Sequence, residues 1–352
     1  MNGPGVYHRL SGQDGGDLRV IVVGVGNAGC RMASLVADQV GPGVDVTCID
    51  TDSACLRRVQ RARRVLIGET TTHGFGAGRD PEVGRDAALE NYGRIGSVVE
   101  RAKLVIVLTG LGGGTGSGAS PVVAAAARAA GAHTVIVAGM PFEFEGTWRE
   151  RYAREAVDAL RSAADAVIPI GLGGVAGATR DDASFAGLIS QRESYAASLV
   201  SGLLHMAIER SELQQASLED IRSVLSRGAV AVAGHGRDEH HDLSAAVDEA
   251  LNSALPAADG ARKADRALLL IQAGGQLAMD RVAEAMERVR DRIAPGASLY
   301  PGISQNGKTE GEVEVTFFAA CNETRRPAVV GPEVAAVMPI KRRDEVVLLL
   351  FG

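Results

Sequence analysis

Aromatic residues are scarce in this chain. Its 352 residues include seven Phe, five Tyr and one Trp, or 4%. The four cysteines, Cys30, Cys48, Cys55 and Cys321, follow no framework spacing. That excludes a disulfide-stapled scaffold and reads as reduced thiols in a cytoplasmic protein. With only 12 prolines, and glycine lacking a three-residue period, a collagen-like chain is excluded. No apolar run reaches the roughly 20 residues of a membrane-spanning helix. Positive charge is not in excess either. The formal net charge of −6 argues against nucleic acid as a partner, because phosphate binding needs a cationic footprint. Residues 1–17 are polar and glycine-rich without an apolar segment, and are expected to be a flexible arm rather than a signal peptide. A hydrophobic fraction of 46% is too high for a disordered chain.

What is abundant is glycine, with 44 residues against a typical ~7% of a chain. The first half alternates short β-branched runs with helical patterns. Strands are expected at Leu18–Val23, Val44–Ile49, Leu104–Thr109, His133–Ala138 and Ala166–Ile170. Helices are expected at Asn27–Gln39, Pro81–Arg101, Ser117–Ala130 and Thr147–Ala164. This rhythm implies an α/β fold with a parallel sheet covered on both faces. Gly171–Ala183 reads as a loop, and Phe185–Leu213 as one long helix. The second half, with strands at Ala229–Ala233, Ala267–Gln272 and Glu312–Ala319 and a helix at Met279–Ile293, reads as a smaller α+β domain. Ala254–Ala264 is a small-residue connector.

Three glycine loops stand beside these elements. Gly24-Val25-Gly26-Asn27-Ala28-Gly29 fits G-x-G-x-x-G between a strand and a helix. With Asp50 placed to hold a ribose, it alone suggests a nicotinamide-dependent oxidoreductase. The second loop is Gly74-Phe75-Gly76-Ala77-Gly78. The third runs from Gly110 to Gly118, with Thr115 and Ser117 among six glycines. Glycine lets the backbone approach a ligand closely, and N–H groups at a helix start face an anion. The P-loop lysine is missing, so this is not a Walker A loop.

Here the residues resemble a family. Gly112–Gly118, GGGTGSG, is similar to the signature of the tubulin/FtsZ superfamily. Ile49-Asp50-Thr51-Asp52 resembles the INTD segment of FtsZ. Gly74–Arg85 resembles its G-x-G-A-G-x-x-P-x-x-G loop, and Pro141–Gly146 its PF-x-FEG. The likeness runs from about Val20 to Asn322. It implies a Rossmann-like nucleotide-binding domain (18–184), a central helix (185–214), an α+β activation domain (215–326) and an extension (327–352). It implies binding of GTP and GDP, with Mg²⁺ as an accompanying ion, and head-to-tail polymerisation. Carried over by position, Gly24, Gly26, Asn27, Gly112, Gly113, Gly114, Thr115, Gly116 and Ser117 hold phosphates. Gly76, Ala77 and Gly78 lie near the γ-phosphate. Asp50, Asp52, Glu145 and Arg149 lie along the nucleotide, with Glu145 on the ribose. Ser194 and Tyr195 fall where the central helix meets the base; Tyr195 stacks there or packs in the core. No metal-ligand set is assigned.

The pattern also departs from the family. The first glycine loop is shorter than in FtsZ. Gly171-Leu172-Gly173 falls where the family places a base-reading Asn. In FtsZ the catalytic loop reads N-x-D-x-x-D, whereas Gln215–Asp220 keeps Asp220, gains Glu219 and has Ser217 in place of the first carboxylate. A lost water-orienting carboxylate costs about 100-fold or more. Slow or absent hydrolysis with retained polymerisation is therefore expected, and a non-hydrolysing regulatory or scaffolding paralogue is the alternative. The arginines Arg57, Arg58, Arg61, Arg63 and Arg64 read as a solvated connector, or as a contact for an anionic membrane or a partner filament. Asp238-Glu239-His240-His241 reads as an exposed loop, and Trp148 as packing at a helix start.

Overall fold

The computed structural model describes residues 18–320 except 42, 172–183, 209–215, 227, 255–262 and 306–310. The 1–17 arm, most of the Gly171–Ala183 loop and of the Ala254–Ala264 connector, the end of the long helix and the C-terminal extension lie outside them. The described residues belong to one compact unit.

Val20–Val25 (β1), Val44–Asp50 (β2), Arg63–Leu66 (β3), Leu104–Gly110 (β4), His133–Gly139 (β5) and Ala166–Ile170 (β6) form a parallel sheet. Between them run Gly26–Gln39 (α1), Ser53–Arg58 (α2), Glu69–Thr72 (α3), Pro81–Glu90 (α4), Tyr92–Val99 (α5), Gly114–Ala129 (α6) and Thr147–Ala163 (α7). Phe185–Ile208 (α8) and Leu218–Val224 (α9) lead to Ala229–Asp238 (β7), Leu243–Ser253 (α10), Arg266–Ala273 (β8), Met279–Arg290 (α11), Ser298–Ser304 (β9) and Val313–Ala320 (β10). The ten strands make one sheet in the order β3-β2-β1-β4-β5-β6-β7-β10-β8-β9. Its seam is narrow: β6 pairs with β7 only at Ala166–Ala229 and Val167–Val230. β10 runs antiparallel to both β7 and β8.

Period-2 alternation sorts the first half into two layers. Val20, Val22, Ile106, Leu108, Val135 and Val137 pack with α1 and α8. Ile21, Val23, Val25, Val105, Val107 and Ile136 pack with α5, α6 and α7. A third layer joins α10 and α11 to the face of β7, β8 and β10 that carries Val232, Leu269 and Phe317. Each buried Val, Leu or Ile contributes about 1.5–3 kcal/mol of transfer free energy.

The structure corrects several boundaries. The helix expected over Pro81–Arg101 breaks at Asn91 (φ −113°, ψ 27°), whose Oδ1 accepts from Gly68 N at 2.6 Å. The Glu90 carboxylate accepts from Thr70 N and Thr71 N and docks α3 there. α6 starts three residues before the expected Ser117, inside the glycine run. β7 runs on to Asp238. The arginine connector includes β3, where exposed Arg63 and Arg64 charge an edge strand and guard it against edge pairing. Trp148 does not pack at its helix start: it is 64% exposed, with the Arg151 guanidinium 4.2 Å from its ring.

His133 opens β5 and is 8% exposed, with Nδ1 3.5 Å from the Asp165 carboxylate. Burial pushes its imidazole below the ordinary 6.5, and Asp165 pulls the other way. The unfolded chain then binds the proton more readily, so stability rises with pH across that window. The contribution is complete above 6.5 and is lost as pH falls through the lower folded value. Melting temperature is expected to fall on acidification below 6.5, and His133→Gln to flatten that fall. An equal acid dependence in the variant would refute this.

Candidate nucleotide site

The three glycine loops meet at the carboxyl ends of β1, β2 and β4, where open α/β sheets bind ligands. Two helices aim their N-termini at this place. Asp52, Asp80, Ser217 and Asp242 cap α2, α4, α9 and α10 with side-chain oxygens, whereas α3, α5, α7 and α11 have no side-chain cap. α1 begins after Val25 and α6 after Gly113, and neither has a side-chain cap. The first N–H groups of a helix need acceptors, and the helix dipole favours an anion there. Gly26 (φ +71°) brings the two ends together: a Cβ on it would stand 3.1 Å from Gly116 N.

The glycines divide by task. Gly24 and Gly29 are packing positions. A Cβ on Gly24 would meet Gly29 O at 2.5 Å, and one on Gly29 would overlap the Leu108 carbonyl. Gly116 lies against the Gly110 carbonyl, and Gly84 and Gly118 allow α4 and α6 to touch. A Cβ on Gly78 or Gly113, by contrast, would find no atom within 4 Å. These two flank open space at the start of α6.

Hydrogen bonds tie the loops together. Gly114 N donates to Gly78 O at 3.2 Å, Gly76 N to Thr51 O at 3.1 Å, and Leu111 N to Gly139 O at 2.8 Å. Thr115 Oγ1 and Thr51 Oγ1 lie 2.6 Å apart. Ser117 is not a donor facing the open space. It is buried, and its Oγ accepts from Gly112 N at 2.8 Å. It closes the glycine turn from within. Ala77 is buried, and its carbonyl accepts from Asp80 N.

The acidic residues are placed less simply. Asp52 caps α2, accepting from Ala54 N and Cys55 N. Asp50 is only 2% exposed, and its Oδ1 accepts from Thr51 N and Asp52 N. Burial pushes its carboxyl above the usual range. Its exposed area is thus too small to favour the ribose contact that the oxidoreductase reading needs. Glu145 Oε1 accepts from Phe142 N at 2.9 Å, and Oε2 pairs with Arg149 Nη1 at 2.5 Å. Arg149 also lines the glycine loop: its carbonyl would be 2.8 Å from a Cβ on Gly112. Its Nε is buried without a partner among the described residues, while Nη1 is held by Glu145.

On α8, Ser194 is exposed, but Tyr195 turns inward. Its hydroxyl donates to Ala233 O at 2.9 Å, and burial pushes its pKa up to about 12. Core packing, not base stacking, is its place. The segment of Gly171-Leu172-Gly173 beyond Gly171 lies outside the described residues. Two further residues complete the wall. Arg31 donates to Asn27 Oδ1 at 3.0 Å and pairs with buried Glu193 at 2.6 Å, fixing Asn27 between α1 and α8. The i,i+4 spacing of Asn27 and Arg31 was the available signal; the pairing to α8 was not readable.

Away from the loops, α9 opens with Ser217 and Asp220 in a capping box. Asp220 Oδ2 accepts from Ser217 N and from Ser217 Oγ, both at 2.8 Å. Glu219 is exposed and pairs with Arg222 at 2.7 Å.

Parallel strands, uncapped helix starts and a glycine cradle define a phosphate-binding α/β protein. The comparisons narrow the class. Residues 19–171 match the family model described as Tubulin/FtsZ family, GTPase domain. The chain is 30% identical over 304 residues to a cell division protein FtsZ of Aquifex aeolicus, covering 86% of this chain and 82% of that one. It is 33% identical over 303 residues to cell division protein FtsZ 1 of Pyrococcus horikoshii, covering 84% and 79%. An empty FtsZ dimer structure from M. jannaschii superposes with a TM-score of 0.81 at 28% identity, covering 89% and 90%. A GTPγS-bound protofilament of CetZ2 from Haloferax volcanii shares the fold, with a TM-score of 0.70 at 21% identity over 87% of this chain and 95% of that one. The chain belongs to the tubulin/FtsZ family and is FtsZ-like within it. Membership implies GTP or GDP binding and a cytoskeletal role in cell division or remodelling.

Proposed function

We propose that this chain binds GTP and GDP between the starts of α1 and α6, polymerises head-to-tail, and hydrolyses GTP slowly. The observation that carries the nucleotide reading is the pair of uncapped helix N-termini beside the open space at Gly78 and Gly113. Gly26, Asn27 and Gly112–Gly116 face the phosphates. Gly76, Ala77 and Gly78 stand by the terminal phosphate, and Glu145 and Arg149 by the sugar side. Mg²⁺ fits, because it needs few protein oxygens beside phosphate and water. The half-buried Thr115 hydroxyl, braced at 2.6 Å by that of fully buried Thr51, would be the protein oxygen on that side, and the ion neutralises phosphate charge when bound.

Exposed apolar side chains near the cradle support self-association. Phe75 on the second loop is 88% exposed, Phe144 65% and Phe185 54%. Phe144 and Phe185 group with Phe142, their ring centroids 5.2–5.9 Å apart, and exposed apolar groups of this kind mark interaction surfaces. Among the described residues no helix is long and apolar enough to cross a membrane. The exposed Arg57, Arg58, Arg61, Arg63 and Arg64 are the surface we assign to any contact with an anionic membrane or a partner filament.

Slow hydrolysis rests on α9. The carboxylate retained there has one oxygen committed to Ser217, and its neighbour Glu219 is held by Arg222. The same capping box favours the second reading, a scaffold that never hydrolyses. Sedimentation with GTP, GDP and a non-hydrolysable analogue, with phosphate release followed in parallel, tests both. Pellets with GTP and the analogue, and phosphate release lagging far behind assembly, are expected. No pellet with any nucleotide would refute polymerisation; release keeping pace with assembly would refute slow hydrolysis.

A further inference from the structure

Beneath the nucleotide loop lies a cluster that the proposed function does not use. Cys30 sits on the second turn of α1, Asp50 ends β2, and Cys55 is on the first turn of α2. All three are buried, and their ligand atoms lie within 4.8 Å of one another. Both thiols are free. Asp50 Oδ1 is satisfied by two backbone N–H groups, while Oδ2 has no partner among the described residues. A buried carboxylate oxygen without a partner is costly unless a cation or donor meets it. The thiols face each other and the carboxyl, with Cys55 a side-chain hydrogen-bond partner of both Asp50 and Cys30, and their remaining contacts are long: Cys30 Sγ with Gly24 O and Ile49 O at 3.7 Å, and Cys55 Sγ with Asn27 Oδ1 at 3.5 Å.

We propose that Cys30, Cys55 and Asp50 form a site for one thiophilic divalent cation of the zinc class. Two sulfurs and one carboxylate oxygen select such an ion over Mg²⁺ or Ca²⁺, which prefer all-oxygen shells. A tetrahedral zinc-class ion holds its ligands about 3.5 Å apart, a modest contraction from the 4.8 Å limit here. Asn27, which is exposed, has its Oδ1 3.5 Å from Cys55 Sγ, so the cluster borders a residue that reaches solvent. Cys48 is a neighbour rather than a ligand: its Sγ donates to Cys30 O at 3.6 Å. The spacing 30, 50, 55 hides the site in the sequence, because three different elements bring the ligands together.

The site does not rest on the nucleotide reading, so its test uses the nucleotide-free full-length chain. The chain is reduced with a phosphine rather than a thiol and titrated with Co²⁺, followed by competition with Zn²⁺. One Co²⁺ per chain with a sulfur-to-cobalt charge-transfer band is expected, displaced by Zn²⁺. Cys30→Ser and Cys55→Ser are each expected to weaken binding at least about 100-fold. Cys48→Ser and a His240→Ala/His241→Ala double variant are expected to retain it. No band at saturating Co²⁺, or a band surviving in the Cys30→Ser/Cys55→Ser double variant, would overturn the proposal. Should circular dichroism show the serine variants unfolded, ¹¹³Cd resonance of the wild-type chain counts the thiolates. A shift for two sulfurs supports the site, and one for any other number overturns it.

Discussion

Gly113→Ala is expected to leave the melting temperature unchanged while weakening nucleotide binding about 10–100-fold. The backbone at Gly113 is extended (φ −111°, ψ 174°), so alanine brings no strain. The new methyl would meet no protein atom within 4 Å and would point into the open space by α6. It would hold a phosphate away from the first N–H groups of that helix. Losing one charge-assisted bond is worth about 1.5–3 kcal/mol, which corresponds to that range of affinity. Gly116→Ala behaves differently. Its methyl would overlap the Gly110 carbonyl, so the strand–helix junction must shift. A stability loss of about 1–3 kcal/mol is expected, with weaker binding as a consequence. Isothermal titration with thermal melting separates the two effects. Unaltered affinity in Gly113→Ala would place the phosphates elsewhere.

The second large effect is a gain. Ser217→Asp is expected to raise polymer-dependent phosphate release about 100-fold, the reverse of a lost acid–base group. The substitution suits the fold, because Asp caps a helix as well as Ser does. Ser217 is the N-cap of α9, with its side chain accepting from Asp220 N. Aspartate at 217 also removes the hydroxyl that now donates to Asp220 Oδ2. The backbone N–H of residue 217 still donates to Asp220 Oδ2, and each carboxylate keeps one oxygen to orient water at a neighbouring subunit. Ser217→Ala separates this from helix stability. It should cost about 1 kcal/mol through the lost cap and leave hydrolysis slow. An unchanged rate in Ser217→Asp, with filaments intact, would mean that slow turnover has another cause.

Much of this was legible because pattern and position coincide. Strands such as Leu104–Gly110 are buried on both faces and read as unbroken apolar runs. The glycine run could be placed because it follows such a strand and opens a helix. Within it, though, sequence could not separate roles. Gly24 and Gly29 look like ligand contacts but serve helix–strand packing, while Gly78 and Gly113 are the open ones. Asp50 shows a related effect: an acidic residue at the end of β2 reads as a ribose contact, yet it folds under α1 and α2 and binds its own turn. Tyr195 depended on the rotation of α8, which a helix buried on several sides does not reveal. The Arg31–Glu193 pair and the thiol cluster are contacts between distant segments, and no local pattern encodes them.

The central claim is that a guanine nucleotide occupies the cradle formed by α1, α6 and the three glycine loops. The most direct measurement is chromatography of the small molecules released when the purified chain is denatured, with stoichiometry read per chain. GDP or GTP, bound by the wild type and depleted in Gly113→Ala, is the result expected. A nicotinamide dinucleotide, or a nucleotide retained undiminished by Gly113→Ala, would contradict it.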